Sequence, residues 1–394
     1  MRSLRRLLLS IALAAFVALA LSQRSVAADD PIELFAILSM TGPGAFLGKG
    51  EQDGLMRAAD HLNQSGGING RPVTFTIQDD GSSPQTALTL GTGLIARNVP
   101  AFIGPTLAAS CNALAPLLKN GPVMYCLSAS FQPERGSYAF TYQSPSSDSV
   151  AIALHYLRDR GLKRIAMLAS TDSTGQVGET AIDAQLARPE NSGLILVDRE
   201  HYAVTDLSVG AQVARVKASG AQVLVAFGTG TPVGTVFRAI QDAGLDIPVV
   251  VSAGNFIYPE MKQFSAILPK ELLSAAPPSI ALDTLPNGQV KNAVREYIDA
   301  FKAVGIRADI SEANTWDPAQ IIFLGLKKLG PNASAAQLKD FISGLHGYAG
   351  ANGMYDFRTG DQRGVSAFNN LIIARWDVGK DTWVAVSKFG GAIR

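Results

Sequence analysis

Short apolar runs alternate with amphipathic stretches along most of this chain. Glu33-Leu-Phe-Ala-Ile-Leu38 is an apolar run of the kind a buried parallel strand shows. Thr41-Gly-Pro-Gly44 breaks it with residues that permit tight turns. Leu55, Ala59 and Leu62 then recur at helical spacing, with Met56 and Ala58 flanking the stripe. Gly66-Gly67-Ile68-Asn69-Gly70 stops that helix, and Val73, Phe75 and Ile77 alternate along a second strand. Strand, helix and strand make one βαβ unit, right-handed by default.

The alternation continues. Ala101–Gly104 and Val123–Leu127 read as further strands, with a helix over 108–119 between them. Ser144-Pro-Ser-Ser-Asp148 is turn-forming and marks a crossing between domains. A second series follows, with strands at Arg164–Leu168, Leu194–Val197, Val223–Phe227 and Pro248–Ser252 and helices near 175–187, 208–218 and 233–243. Past Leu272 the pattern turns helical, around 288–302, 313–329 and 335–345, before two strand-like runs at Leu371–Arg375 and Thr382–Val386. The expected class is α/β, two lobes with mostly parallel sheets flanked by helices. Strand ends of both sheets then face a cleft at the hinge.

The first 28 residues stand apart. Arg2, Arg5 and Arg6 precede an apolar stretch from Leu7 to Leu21, and Ser25-Val26-Ala27-Ala28 supplies small residues for cleavage. This reads as an export signal, with no cysteine at the cut to carry a lipid. Its removal leaves 30 Lys and Arg against 33 Asp and Glu, a net charge of −3. That balance suggests neither nucleic acid nor an anionic membrane as partner. The remaining length exceeds one compact core and calls for two domains. Cys111 and Cys126 enter a compartment that permits disulfides, so they are either paired or two buried thiols.

Enzymatic signatures are missing. The four histidines, His61, His155, His201 and His346, form no metal-binding motif with each other or with the cysteines. No phosphate-binding loop or nucleophile elbow occurs. Phe227-Gly-Thr-Gly-Thr-Pro-Val-Gly234 is one residue too long for a dinucleotide fingerprint, and Pro232 suits a helix start. Asp79-Asp80 reads as turn and cap chemistry. Trp316, among Ile321, Ile322 and Leu324, reads as core. No metal and no cofactor are expected.

The Thr41-Gly42-Pro43 loop, the helix with Gly54 and Ala58-Ala59, the Gly66–Gly70 turn and Asp79-Asp80 together resemble the opening of type I periplasmic solute-binding proteins. These are the leucine/isoleucine/valine-binding-protein-like components of ABC importers. The resemblance implies three crossings, near 147, 277 and 353. Lobe one would comprise 29–147 and 277–352, and lobe two 148–276 and 353–394. A lobe-one disulfide occurs among such proteins at a different spacing.

Relatives hold the ligand's carboxylate in the loops after the third and fourth strands, which implies Ala108 and Ser110 in one and Ser128, Ala129 and Ser130 in the other. Hydroxyls and free amides at helix starts suit that task, with plain capping by Ser110 and Ser128 as the competing reading. Phe46 and Leu47 match the apolar cover over the ligand, against core packing. In lobe two, relatives grip an α-ammonium with an acid. The matching positions here are Thr229 with Gly230, and Ala253-Gly254-Asn255. A buried ammonium without a partner loses on the order of 3–5 kcal/mol. Asp172 or Glu179 could substitute, but both sit where helix capping is commoner. Asp361 and Arg363 match a turn and hinge after the returning strand, with ligand contact as the second reading.

The resulting expectation is a monomeric periplasmic binding protein. It would deliver a carboxylate-bearing solute, aromatic or branched and apolar, to an ABC permease in the inner membrane, without covalent chemistry. A branched-chain amino-acid binder and a ligand sensor of the same fold are the alternatives, with a periplasmic enzyme beyond them.

Overall fold

The computed structural model describes residues 30–394 apart from Phe256 and Ala281. The expected export signal, residues 1–28, lies outside the described residues. The first series runs β1 Ile32–Leu38, α1 Ala45–Gln64, β2 Val73–Asp79, α2 Pro84–Ala96, β3 Ala101–Ile103, α3 Ala108–Leu114, β4 Val123–Cys126 and β5 Ala139–Thr141. All five strands are parallel, in the order β2-β1-β3-β4-β5. β5 was not anticipated: three residues behind an irregular segment carry too little periodicity to announce a strand.

The second series comprises α4 Ser146–Asp159, β6 Arg164–Ser170, α5 Ser173–Leu186, β7 Ile195–Tyr202, α6 Gly210–Ala218, β8 Val223–Phe227, α7 Val233–Asp242, β9 Val249–Val251, α8 Tyr258–Gln263 and β10 Leu272–Ala276. Two of these correct the sequence expectation. The turn-forming Ser144–Asp148 segment opens helix α4, because serine and aspartate favour a first helical turn as much as a loop. Leu272–Ala276 is a buried strand paired with β9, not the start of a helical region.

The chain then forms α9 Gln289–Lys302, α10 Ile310–Leu329, α11 Ala335–Gly344 and a hairpin of β11 His346–Gly350 and β12 Gly353–Asp356. It closes with α12 Ala367–Asn370, β13 Ile372–Asp377 and β14 Thr382–Ala385. The second sheet is ordered β14-β13-β10-β9-β8-β6-β7, with β13 and β14 antiparallel to the rest.

Helices cover both faces of the first sheet, so its inner strands are apolar on both sides, whereas the edge strand β2 alternates. Leu55 and Leu62 of α1 pack with Tyr297, Trp316, Ile322 and Leu338 on one face. Trp316 is core, as its apolar neighbours implied. On the other face Ala87, Leu94 and Leu114 surround a disulfide between Cys111 of α3 and Cys126 of β4. Pairing resolves the alternative left open by the sequence, and closing this short loop is worth about 3 kcal/mol in the chain-entropy account.

The β11–β12 hairpin stays with the first sheet. Asp317 of α10 accepts hydrogen bonds from the Ala351 and Asn352 amides, both at 2.8 Å, and from the Tyr355 hydroxyl at 2.9 Å. Tyr355, Phe357 and Val365 are part of the first core. From Ile372 the chain joins the second sheet as β13.

Candidate ligand cleft

Between the sheets, the residues that follow β3, β4, β8 and β9 line one cleft. The first sheet contributes Thr106, Leu107, Leu127, Ser128, Ala129 and Ser130, and the second Phe227, Thr229, Ser252, Ala253 and Gly254. First turns of helices complete it: Leu47 of α1, Ser146 and Ser149 of α4, Thr174 of α5, and Ile310 with Asn314 of α10. Helix starts carry unpaired amides and partial positive charge. No lining residue bears a formal charge.

Behind the first-sheet wall is a buried polar network. Glu51 of α1 is fully buried. Its Oε2 lies 2.6 Å from the Thr106 hydroxyl, and its Oε1 accepts from the Asn314 amide at 3.3 Å. Thr106 also accepts from the Ser39 amide at 3.0 Å, and the Ser39 hydroxyl donates to Asp80 at 2.8 Å. Gln143 donates to Asn314 at 3.2 Å and to the Tyr142 hydroxyl. Burial pushes the Glu51 carboxyl up to about 8, assisted by the charge of Asp80 and opposed by the Thr106 and Asn314 bonds. Burial likewise raises Asp80.

Arg363, read from sequence as a turn residue, is a buried pin. Its guanidinium donates to the carbonyls of Ala129 (3.3 Å), Gln143 (3.0 Å) and Phe131, tying the Ser128–Ser130 loop to the strand beside it. Burial lowers it to about 10.

The second-sheet wall rests on Asn255. Its side chain accepts from the Gly230 amide at 2.9 Å and donates to the Gly228 carbonyl at 2.7 Å and to Ser252 at 3.2 Å. It is fully buried.

The expected site residues thus separate. Leu47, Ser128, Ala129, Ser130, Thr229 and Ala253 line the cleft together. Ala108 and Ser110 line an adjoining cavity with Ser82, Asp172 and Thr174. Phe46 packs against the second core. Gly230 does not line the cleft; a Cβ built on it would lie 2.2 Å from the Pro43 carbonyl oxygen. Asn255 bonds the chain rather than the cleft. Asp172 caps α5 through the Thr174 and Gly175 amides, and Glu179 pairs with Arg199 and His201.

Tyr142, Gln143 and Asn314 carry no signal in the sequence. Thr106 lies in the loop after the third strand that the sequence points to, and Ser146 opens a helix whose apolar positions Val150, Leu154 and Leu157 are helically spaced.

The lobes meet across the cleft. Leu47 and Ile310 enter the second core. The Tyr258 amide donates to Asp309 at 2.7 Å, and the Arg307 guanidinium lies 3.6 Å from the Tyr258 ring centre.

Residues 31–381 match the family described as periplasmic binding protein. A Leu/Ile/Val-binding protein homolog from Brucella melitensis is 23% identical over 95% of this chain and 98% of its own. Among solved structures, a branched-chain amino acid transporter binding protein from Streptococcus pneumoniae, in complex with isoleucine, superposes with a TM-score of 0.76 at 17% identity, covering 90% of this chain and 98% of that one. An ABC-transporter solute-binding protein from R. palustris, in complex with 4-hydroxybenzoate, gives 0.71 at 18% identity over 93% and 95%.

Proposed function

The chain belongs to the periplasmic binding protein family, and from that premise we propose that its cleft captures a small carboxylic acid lacking an α-amino group, for delivery to an ABC permease. One observation carries this reading: the cleft has no charged lining residue, while hydroxyls and the first turns of four helices supply its polarity. Helix starts and hydroxyl donors favour an anion. An ammonium would enter with no carboxylate to meet it and would lose on the order of 3–5 kcal/mol.

The candidate substitutes for that carboxylate already have partners, Asp172 as a helix cap and Glu179 in ion pairs. Leu47, Leu127, Phe227 and Ile310 provide apolar walls for an aromatic or branched body. The protein acts as a monomer and carries out no covalent step. The isoleucine bound by one structural neighbour favours a second reading, a branched-chain amino-acid binder, whereas the 4-hydroxybenzoate bound by another favours the first.

A thermal-shift panel on ligand-stripped protein separates them. It sets benzoate, 4-hydroxybenzoate and 3-methylbutanoate against leucine, isoleucine and valine. At about a thousand times the dissociation constant, linkage gives roughly 4 kcal/mol of stabilisation. A shift with the acids alone supports the proposal. A shift with the amino acids alone overturns it.

A further inference from the structure

We propose that Glu51 is a positioning residue for the ligand: its carboxyl carries a proton, and that proton decides whether Thr106 gives or receives a hydrogen bond at the cleft wall. The inference rests on the reading of the cleft as a carboxylate site.

Thr106 Oγ1 has one hydrogen and two lone pairs. The Ser39 amide fills one lone pair at 3.0 Å. Glu51 Oε2 is the second neighbour, at 2.6 Å. An ionised Glu51 only accepts, so it takes the Thr106 hydrogen and leaves this cleft-lining residue no hydrogen to give a ligand carboxylate. A protonated Glu51 donates to Thr106 instead, filling its second lone pair. The Thr106 hydrogen is then left for the cleft, where it meets a carboxylate oxygen. Glu51 Oε1 accepts from Asn314 in either state.

The surroundings favour the proton. Glu51 is fully buried. The titratable groups that act on it are Asp80 after β2 and Tyr142 after β5. One is an acid and the other a phenol, and neither supplies a positive charge. Burial pushes its carboxyl up to about 8. Glu51, Thr106, Ser39 and Asn314 all belong to the first lobe, so the device does not depend on lobe closure.

The test is a titration of affinity for benzoate and 3-methylbutanoate, whose carboxyls stay ionised throughout, from about pH 6 to about pH 9.5. Affinity is expected to hold level to near pH 8 and then to fall about tenfold per pH unit. Glu51→Gln places an amide donor against Thr106 and an acceptor against Asn314, so it binds within a few-fold of the parent and stays level. Thr106→Ser keeps the fall, whereas Thr106→Val binds about tenfold more weakly without it. A parent profile level through pH 9.5, or the same fall in Glu51→Gln, overturns the proposal.

Infrared spectroscopy of ligand-free protein provides an independent readout. Burial also pushes the Glu260 carboxyl up to about 8, so the readout is the difference between parent and Glu51→Gln. A protonated-carboxyl band at neutral pH that fades near pH 8 in the parent and is missing from Glu51→Gln supports the proposal, and identical spectra overturn it. If neither acid binds, the carboxylate reading fails while the band still tests the proton on Glu51. If Glu51→Gln does not fold, the parent profile with the two Thr106 variants decides.

Discussion

On one wall of the cleft, Thr106 and Asn314 stand in front of a buried carboxyl, Glu51. On the opposite wall, Thr229, Ser252, Ala253 and Gly254 stand in front of a buried carboxamide, Asn255. Both backing groups are fully buried and each orients what the ligand would meet. A carboxamide has two donors and an acceptor whose identity never changes with pH, whereas a carboxyl gains or loses a donor. The second-sheet wall therefore has one chemical face, and the first-sheet wall has two. A pH dependence of binding belongs to the first wall, and a loss of shape belongs to the second.

The largest effect expected from breaking this comparison lies in stability against pH. The Glu51 carboxyl is held near 8 in the fold and ordinary in the unfolded chain, so the folded state keeps a proton that the unfolded state releases. Its contribution is full below about pH 4.5 and is lost as pH rises through 8. Denaturant unfolding of the parent should lose roughly 4 kcal/mol more than Glu51→Gln between about pH 5 and 8. Equal pH slopes would mean that Glu51 is ionised in the fold.

Asn255→Ala comes next. It strands the buried Gly230 amide and removes one of the two donors to the Gly228 carbonyl, which keeps the Ser252 hydroxyl; together this costs about 3 kcal/mol at any pH in that range. A loss below about 1 kcal/mol in denaturant unfolding would show that the second wall does not depend on this side chain.

The smallest of the three concerns the contact between the walls. Gly230 has φ +84°, and a Cβ there would lie 2.2 Å from the Pro43 carbonyl oxygen. Gly230→Ala strains its own lobe whether open or closed, but meets Pro43 only when the walls approach. Benzoate affinity by calorimetry should fall about thirty-fold, roughly 2 kcal/mol, beyond any change in ligand-free stability. Unchanged affinity would place the two walls further apart in the bound form.

Local order supported much of this in advance. The β1–α1–β2 unit and the strands of the second series were legible because burial on both faces demands continuous apolar runs and amphipathic helices demand their own period. Legibility failed where elements were short or their opening residues ambiguous. Ala139–Thr141 is a strand only because Met124, Tyr125 and Cys126 offer it a ladder. Ser146 and Asp148 suit a turn or a helix start equally, and Val150, Leu154 and Leu157 settle it.

By itself, then, the sequence determined the alternation of strands and helices and the family. These follow from residue types and spacings that act locally. Only the tertiary structure decided which polar residues meet the cleft and which meet the chain. Asn255 and Asn314 are the same side chain in the sequence, yet one closes on Gly228 and Gly230 while the other lines the cleft. Glu51 lies among ordinary helix positions until Thr106, 55 residues on, and Asn314, 263 residues on, are folded against it. Hydrogen bonds reach only a few ångströms, so the partner of a polar side chain is set by which distant segments the fold brings to that distance.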